Sequence, residues 1–392
     1  MSISNVTTTT QAFAPVTVCT GNQPPRPEKV EWVSVRDWSK LQDLIEDWRE
    51  LLAESVWPNP CFSPEFLLPL LEHRAGETDV SVYTARRGGK LVGLIPIARS
   101  SVYRLPIRAA SVWRPDFSFD GTPLLHQRFA GEVFETFLGK LSKQGTRLLS
   151  MDTASAGDDM SRVLESVRSR PEYSVFYRDS WERAALRPSG TADEYFQKQL
   201  SKNRRKKIRQ NLKRLGQKGD LNCEVSQEGD DIVQWLHEFI ELEASGWKGK
   251  QNSAIRAENS AQLFVEDLVN GLRGRQEVHF SKLTLDQRPI AMLLDISLGS
   301  RIYGYKTAYD ESLAEYSPGA LMEYENLKHL HTTQCHLFDG CSSPDNELIN
   351  SFYADRLSFQ NLVLGLSRSV APVVNHVLPT LQTLANRIRR RS

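Results

Sequence analysis

The chain has few cysteines and no long apolar segment, and both shortages limit what kind of protein it is. Its five cysteines are far apart in 392 residues, and none forms a C-x-x-C pair, so a disulfide framework is not expected and a reducing cytoplasm is favoured. No run of about 18 apolar residues exists that would span a membrane. Residues 1–28 are rich in Thr, Pro and Asn and lack the apolar core of a signal peptide, which predicts a disordered leader.

Several familiar catalytic motifs are also missing. The sequence contains no G-x-x-x-x-G-K-[ST] phosphate loop, no H-E-x-x-H and no G-x-S-x-G, which excludes the common NTPase, zinc-protease and α/β-hydrolase classes. The densest group of metal-ligating residues is His329, His331, Cys335, His336 and Cys341. Only His331 and Cys335 have the i, i+4 spacing that places two side chains on one helix face. The others would lie on different faces or on the following strand, so no metal site is predicted.

Positive charge is concentrated in one segment of a chain whose formal net charge is only +1. Nine Lys or Arg lie between Lys198 and Arg214, with no Asp or Glu among them. Such a run is compatible with a solvated helix face, a nucleic-acid-binding surface or a site for an anionic ligand. Nucleic-acid binding is the least favoured of the three, because the run has no interleaved aromatic residues and the chain as a whole is not basic.

The same segment carries an apolar stripe at helical spacing. The stripe is formed by Phe196, Leu200, Ile208, Leu212 and Leu215. It predicts a helix that packs onto a sheet while its flanks stay positively charged. The helical period also brings Asn203, Arg204 and Lys207 toward the stripe.

Two stretches of the chain repeat one order of elements. In the first, residues 80–100 predict two strands joined by a tight turn, and a third strand is expected near Ile107–Trp113. A helix over residues 129–141 and a strand over residues 146–153 follow. The second stretch predicts three strands within residues 277–310.

The second stretch continues as the first does. A helix with Ala320, Tyr324 and Leu327 on one face leads to a strand at residues 336–340, and a further helix is expected over residues 346–364. Both stretches therefore predict the order β-β-β, loop, α, β, α. A duplicated pattern of this kind indicates two copies of one α/β unit.

The predicted organisation is two tandem lobes between the leader and a basic tail. The first lobe covers residues 29–185 and the second residues 186–366, because helix patterns at Thr191–Gly216 and Asp231–Ser245 open the second copy. The tail, residues 367–392, ends with four arginines among its last six residues. It could rest on an anionic membrane surface, but a frayed terminus is the favoured interpretation.

The most informative short motif is "EYSPGALMEYE". Ser317 can cap a helix, Pro318 suits its first position, and Gly319 lets a ligand approach the backbone. The amides of Gly319, Ala320 and Leu321 would then point outward at the positive end of the helix dipole. That arrangement suits a phosphate or pyrophosphate, although an ordinary helix start has the same residues.

The order of elements in the second copy resembles the core of the GNAT acyltransferases. More closely, residues 199–366 resemble the acetyltransferase family associated with cellulose and exopolysaccharide biosynthesis, which is distantly related to the Fem-type peptidoglycan aminoacyltransferases with their two GNAT-like halves. The segments that carry the resemblance are "LSKNRRKKIRQNLKRL", "ELEASGW", "RPIAMLLDI", "RIYGYKTAYDESLAEYSPGALM" and "HLFDG".

The resemblance implies a fold and an activity. Each lobe would be a mixed, largely antiparallel sheet flanked by helices, and the first lobe would be a degenerate copy that shapes a cleft. The turn at Ser317–Leu321 would hold the pyrophosphate of acetyl-coenzyme A or another acyl-coenzyme A, with Arg204 and Lys207 facing it. The acceptor would be an amine or hydroxyl of a sugar or cell-envelope precursor.

Acyl transfer from a thioester needs a base for the nucleophile and a proton donor for the thiolate. Glu243 and Asp339 are the candidate bases, and Tyr305 or Tyr309 is a candidate acid. Each of them could instead be structural. The candidate contacts to the acceptor are Trp247, Lys306 and Tyr309.

Two other hypotheses stay open. An aminoacyltransferase that takes its donor from charged tRNA would give the basic segment an RNA-binding role. A protein without catalytic activity could use the same segment to bind a nucleic acid or a protein partner.

Overall fold

The computed structural model describes residues 28–246 and 254–389, so the predicted leader lies outside the described residues apart from Glu28. The strands of the first half are β1 (Glu31–Val35), β2 (Val80–Arg87), β3 (Lys90–Ser100), β4 (Ala109–Val112), β5 (Leu124–Leu125), β6 (Leu148–Ser155) and β7 (Ser174–Leu186). Its α-helices are α1 (Ile45–Ala53), α2 (Pro64–Arg74), α3 (Ala130–Lys143) and α4 (Asp158–Arg168).

From the strand that begins at Val278, the second half follows the predicted order up to its last element. Its α-helices are α5 (Ala192–Gln199), α6 (Lys202–Gly216), α7 (Ile232–Ser245), α8 (Asn259–Arg273), α9 (Pro318–Thr332), α10 (Glu347–Phe352) and α11 (Leu378–Arg389). Its strands are β8 (Leu221–Val225), β9 (Val278–Leu285), β10 (Arg288–Leu298), β11 (Arg301–Tyr309), β12 (Leu337–Asp339) and β13 (Asp355–Gly365).

These strands form one continuous sheet in the order β1-β2-β3-β4-β6-β13-β7-β12-β11-β10-β9-β8, with β5 paired to β3. The parallel pairs are β4 with β6 and β11 with β12. Each parallel pair is joined by a crossover helix, α3 in the first lobe and α9 in the second. The predicted class of two tandem α/β lobes with largely antiparallel sheets is therefore confirmed.

The prediction of a helix over residues 346–364 is wrong. Only α10 is helical there, and the chain continues as β13, which lies between β6 and β7. Because β13 is central, most of its apolar residues are buried on both faces, and the period-2 alternation typical of a strand is blurred. Since β6 belongs to the first copy, the end of the second copy completes the sheet of the first. The lobe boundary near residue 185 stays a prediction.

The basic segment is also interrupted. Phe196 lies in α5, Leu200 ends that helix, and Ser201 begins α6 by accepting a hydrogen bond from the Arg204 amide at 3.2 Å. Ile208 and Leu215 are buried, as the stripe predicts.

The C-terminal tail is folded where the structure describes it. Residues 368–370 and 373–389 are helical, so the favoured interpretation of a frayed terminus is wrong for them. Val370, Val374 and Leu378 are buried against the first lobe, because their four-residue spacing gives the segment one apolar face. Residues 390–392 lie outside the described residues. None of the helices from residue 28 to 246 or 254 to 389 combines the length and apolarity needed to cross a membrane.

The two lobes share one hydrophobic core. Phe66 of α2 and Phe264 of α8 are almost fully buried, and their rings lie 5.4 Å apart in an edge-to-face arrangement. Full burial of one such side chain stabilises a fold by about 1.5–3 kcal/mol, and an aromatic pair adds to that. The lobes are therefore held together by packing as well as by the shared sheet.

Candidate functional site

A cavity of about 680 Å³ lies between the first turns of α6 and the beginning of α9. From α6 it is lined by Asn203, Arg204, Lys207, Ile208 and Asn211, after Ser201 at the cap. From the other side it is lined by Tyr309, Ala314, Ser317, Pro318, Gly319, Ala320 and Leu321, with Leu348 of α10 beside them. The cavity thus brings together all the residues predicted to hold the acyl donor.

Direct contacts hold α6 against the turn that precedes α9. The Asn211 amide donates to the carbonyl of Tyr316 at 2.7 Å, and this bond is buried. The Arg214 guanidinium donates to the Glu315 carboxylate at 2.9 Å. These two bonds fix one wall of the cavity relative to the other.

The turn itself is more strained than the sequence indicates. Ser317 has φ 55° and ψ 57°, a left-handed conformation that is unfavourable for a residue with a Cβ, and its side chain makes no capping bond. The amides of Ala320 and Leu321 donate to the Ser317 carbonyl at 2.9 and 3.1 Å. The prediction that the amides of Gly319, Ala320 and Leu321 all point into the cavity is therefore wrong for Ala320 and Leu321. Among the described residues, the Gly319 N–H has no acceptor.

The electrostatics of the cavity favour an anion. The first turn of α9 contains no acidic residue, so the positive end of its dipole is not offset there. In the described part of the chain, α6 makes one salt bridge, from Arg214 to Glu315. Arg204 and Lys207 have no carboxylate partner there. Burial without a nearby carboxylate lowers the pKa of Arg204, whose guanidinium lies 4.8 Å from the centre of the Phe352 ring.

The central strand of the second lobe bends just beyond this cavity. β11 pairs with β12 only over residues 301–303 and then separates from it. Its register with β10 shifts after Gly304, which leaves Tyr305 as an extra, bulged residue. The Tyr305 ring contacts Phe66 and Phe119 of the first lobe at 5.8 and 5.9 Å. The bulge therefore faces the space between the lobes.

Tyr305 has a buried hydroxyl without a hydrogen-bond partner among the described residues. Burial, with a smaller contribution from the charge of Glu243, raises the pKa of Tyr305 well above its usual value. The phenol consequently keeps its proton, which suits a proton donor and not a base. Lys306 follows on the same strand, and its ammonium lies 4.6 Å from the centre of the Phe117 ring.

The two candidate bases do not line the cavity. Glu243 is buried, and its carboxylate accepts a hydrogen bond from the Ile255 amide at 2.8 Å. Asp339 is buried, accepts from the Arg183 guanidinium at 2.5 Å and from the Cys341 amide at 3.0 Å. In these positions both carboxylates fix neighbouring chain segments, and a catalytic role for either stays a prediction. Trp247 lies outside the described residues.

A polar group between the lobes was not visible in the sequence. Arg183 of β7, besides its bond to Asp339, donates to the carbonyl of Phe119 at 2.8 Å. Asp120 is fully buried beside it and accepts from the Trp57 indole at 2.6 Å. Burial raises the pKa of Asp120 to about 6. No local pattern could have found this group, because its members are far apart along the chain.

Comparison with known proteins agrees with this geometry. Residues 202–345 match the family model described as acetyltransferase (GNAT) domain, a segment that includes both walls of the cavity. The fold is similar to that of FemX, with a TM-score of 0.54 and 11% identity over 88% of this chain and 99% of FemX. No curated protein matches this chain.

Two other solved structures are similar in fold. One is the C-terminal domain assigned to a lysylphosphatidylglycerol synthetase from Agrobacterium fabrum, with a TM-score of 0.51 and 12% identity over 86% of this chain and 95% of that one. The other is L-PGS from Bacillus licheniformis, with a TM-score of 0.50 and 15% identity over 87% and 96%.

The second lobe is thus related to the GNAT superfamily of acyltransferases. It carries the matched acetyltransferase (GNAT) domain, and both lobes together have a fold similar to that of FemX. The predicted superfamily is confirmed. The narrower resemblance to the family associated with cellulose and exopolysaccharide biosynthesis stays a prediction.

Proposed function

We propose that the protein transfers an acyl group from an acyl-coenzyme A, acetyl-coenzyme A in the simplest case, to an amine or hydroxyl acceptor. The observation that carries the proposal is the cavity at the beginning of α9. It combines the Gly319 N–H with Arg204 and Lys207, two cations without a carboxylate partner in the described part of the chain. Charge-assisted bonds of this kind are the ones that hold phosphate groups.

The bulge at Tyr305 suits the reacting end of the donor. As the acceptor nitrogen or oxygen bonds to the thioester carbon, the carbon–sulfur bond breaks and the thiolate must gain a proton. The protonated Tyr305 hydroxyl could supply it, and a backbone N–H where β11 and β12 separate could bind the developing oxyanion. Glu243 influences Tyr305 electrostatically, which keeps it a candidate for accepting the nucleophile's proton.

We further propose that the acceptor enters between the lobes. Tyr305 and Lys306 are directed toward Phe117 and Phe119 of the first lobe, so this side of β11 is shaped by both lobes. A sugar or cell-envelope precursor as acceptor rests on the resemblance alone.

A second candidate donor is aminoacyl-tRNA, and a specific observation favours it. The cations of α6 extend beyond the cavity, and most of them have no carboxylate partner among the described residues. Those that have no such partner and lie outside the cavity lining are Lys202, Arg205, Lys206, Arg209 and Lys213. A nucleic-acid backbone would use such a row, whereas a coenzyme A needs only the residues at the cavity.

A thermal-shift titration separates the two donors. Under the first proposal acetyl-coenzyme A stabilises the protein saturably, by about 2.7 kcal/mol at roughly a hundredfold excess over Kd. Dephospho-coenzyme A, which keeps the pyrophosphate, should retain most of this effect, and bulk tRNA should have none. A response to tRNA alone that disappears as salt rises from about 50 to 200 mM would contradict acyl-coenzyme A as the donor and support tRNA.

A further inference from the structure

A second recess lies at the opposite end of α9, away from the cavity that begins the helix. It encloses about 320 Å³ between the last turns of α9 and strands β9 and β10. Asp295, Ser297 and Asn326 line its inner part. It continues into an outer recess of about 700 Å³, with which it shares His279, His329 and Thr333. Nothing in the proposed acyl transfer uses this site.

Buried carboxyl groups lie at the inner end. Asp295 is 6% exposed, and no hydrogen bond from another described residue reaches its carboxyl. Glu323 is 3% exposed and accepts a bond from the Tyr353 hydroxyl at 2.7 Å. Burial and the neighbouring Glu323 raise the pKa of Asp295 well above its usual value, and burial raises the pKa of Glu323 to about 7. Leaving such groups unpaired in a core is costly.

In the described part of the chain, no positive charge offsets the buried carboxyl groups at the inner end of the recess. No Lys or Arg is among the described residues that line the inner part. The outer part is lined by Glu228, Asp230 and Asp231, opposed by Arg273. Burial lowers the pKa of both histidines, so they add no positive charge at neutral pH.

The first lobe shows that the fold does not require an acid here. The corresponding recess at the end of α3 has about 570 Å³ and is lined by Arg36, Arg99 and Arg108, with Asp79 as its acidic residue. Two recesses in equivalent places thus carry opposite charge. The shared architecture of the two lobes therefore does not by itself account for the buried Asp295.

The structure also indicates the type of cation. Among the described residues, only Glu72, His73 and Asp267 have side-chain atoms close enough together to bind one metal ion, and these residues lie outside this recess. The described residues of the recess itself therefore include no group of side chains arranged to bind a metal ion. An organic ammonium needs no such convergence, because its three N–H groups can each bond to a separate acceptor. The amide nitrogen of Asn326, which is 2% exposed, lies near the Tyr353 hydroxyl but makes no well-formed hydrogen bond among the described residues, so a hydroxyl oxygen in the recess could accept from it.

We propose that this recess binds a small amino alcohol, with the ammonium group at the Asp295 carboxylate and the hydroxyl at Asn326. A volume of about 320 Å³ corresponds to roughly ten waters, which is ample for such a molecule. The proposal is independent of the acyl-donor site, since the two sites lie at opposite ends of α9.

The test is calorimetric titration of the whole protein with three probes, without any acyl donor. Ethanolamine should bind saturably, propylamine more weakly because it lacks the hydroxyl, and ethylene glycol not at all. Asp295→Asn replaces the carboxyl that binds the ammonium by a neutral amide of nearly the same shape, so ethanolamine binding should weaken at least tenfold. Asp116→Asn, an exposed carboxyl outside both parts of the recess, is the control and should change affinity less than about twofold.

A second variant covers the case in which Asp295→Asn does not fold. Thr333→Trp leaves the buried carboxyls untouched and fills the mouth of the recess, so it should abolish ethanolamine binding. The proposal is overturned if ethanolamine gives no saturable binding to the native protein. It is equally overturned if ethylene glycol binds as well as ethanolamine, or if either variant binds ethanolamine as the native protein does.

Discussion

The two lobes use the connection between their third strand and their crossover helix in opposite ways. In the second lobe the turn before α9 leaves a cavity with the Gly319 N–H inside it. In the first lobe the connection before α3 packs onto the other lobe, where Phe117 contacts Phe264 at 5.3 Å and Phe119 contacts Tyr303 at 5.6 Å. One connection is available to a ligand, and the other holds the lobes together.

The first turns of the two crossover helices, α3 and α9, also differ in how well they could bind an anion. The first turn of α3 contains Glu132, and Phe129 before it is covered by the Arg87 guanidinium at 4.2 Å from its ring centre. An acid in the first turn already interacts with the helix dipole and would repel an added anion. The first turn of α9 has no acid and faces Arg204 and Lys207. Of the two crossover helices, only α9 therefore has a first turn that leaves its dipole free to interact with an added anion.

The largest expected effect comes from breaking the buried ion pair between Arg183 of β7 and Asp339 of β12, which lies beside the first lobe's connection because Arg183 also donates to the Phe119 carbonyl. Asp339→Asn should destabilise the protein by about 3–5 kcal/mol, because it leaves the buried Arg183 guanidinium without its main charge partner. The two side chains are only 4% and 1% exposed. Denaturant unfolding measures the change.

The matched control for that variant is Glu315→Gln. It removes the partner of Arg214 in an ion pair whose side chains are 51% and 59% exposed, and such pairs contribute about 1 kcal/mol or less. Equal losses in the two variants would mean that the contact between the lobes does not depend on Arg183.

The next effect is a pH dependence located in the first lobe's connection. Burial raises the pKa of Asp120 from 3.8 to about 6, so the folded protein holds a proton that the unfolded chain releases. The free energy of unfolding should therefore be highest below about pH 4 and fall as pH rises to about 6, by about 3 kcal/mol for this group. Asp120→Asn should remove this fall.

Asp116→Asn, an exposed residue of the same connection, is the control. Denaturant unfolding between about pH 4 and 7 gives the comparison. Parallel pH profiles for the native protein and Asp120→Asn would show that the Asp120 carboxyl does not keep its proton in the folded state.

A pair of glycines tests the helix starts directly, since Gly131 and Gly319 are each the second residue of a crossover helix. A Cβ at Gly319 would lie 3.4 Å from Tyr309, an ordinary contact, so the methyl groups of Gly319→Val should enter the cavity without unfolding the protein. The variant should lose the stabilisation by acetyl-coenzyme A, about 2.7 kcal/mol at roughly a hundredfold excess over Kd.

Gly131→Val places a Cβ 3.3 Å from the Ser166 hydroxyl, which can rotate away. It should keep the native thermal shift with acetyl-coenzyme A. A Gly319→Val protein that is still stabilised would exclude the beginning of α9 as the donor site.

Most of the strands and the residues that line the cavity could be predicted, because each depends on a local pattern. Alternation and turn residues located β2, β3, β9 and β10, and "SPG" located the beginning of α9. Arg204 and Lys207 reach that turn because helical spacing turns them toward the packed side. The two walls were brought together only by the family resemblance, since no single segment encodes their contact.

The features that the sequence does not predict depend either on contacts between residues far apart along the chain or on backbone conformations set by packing. Arg183 and Asp339 are 156 residues apart, and nothing near either indicates a partner. The sequence predicts a helix in place of β13 because a strand buried on both faces has an apolar run without clear alternation. The left-handed Ser317 was missed because a Ser-Pro sequence is equally compatible with an ordinary cap, and packing decides between the two.

The smallest effect separates the two candidate donors through single charges of α6. Arg204→Gln should weaken acetyl-coenzyme A binding about tenfold, because it removes one charge-assisted bond in a half-buried place. Arg209→Gln, on the same helix but exposed and outside the cavity lining, should change it less than about twofold. Thermal shift at fixed salt gives both values. If the variants instead lose tRNA affinity equally, each lowering the salt dependence by about one counterion, the positive face of α6 as a whole binds the donor. The second lobe would then differ from the first by an exposed basic surface and not by a closed anion cavity.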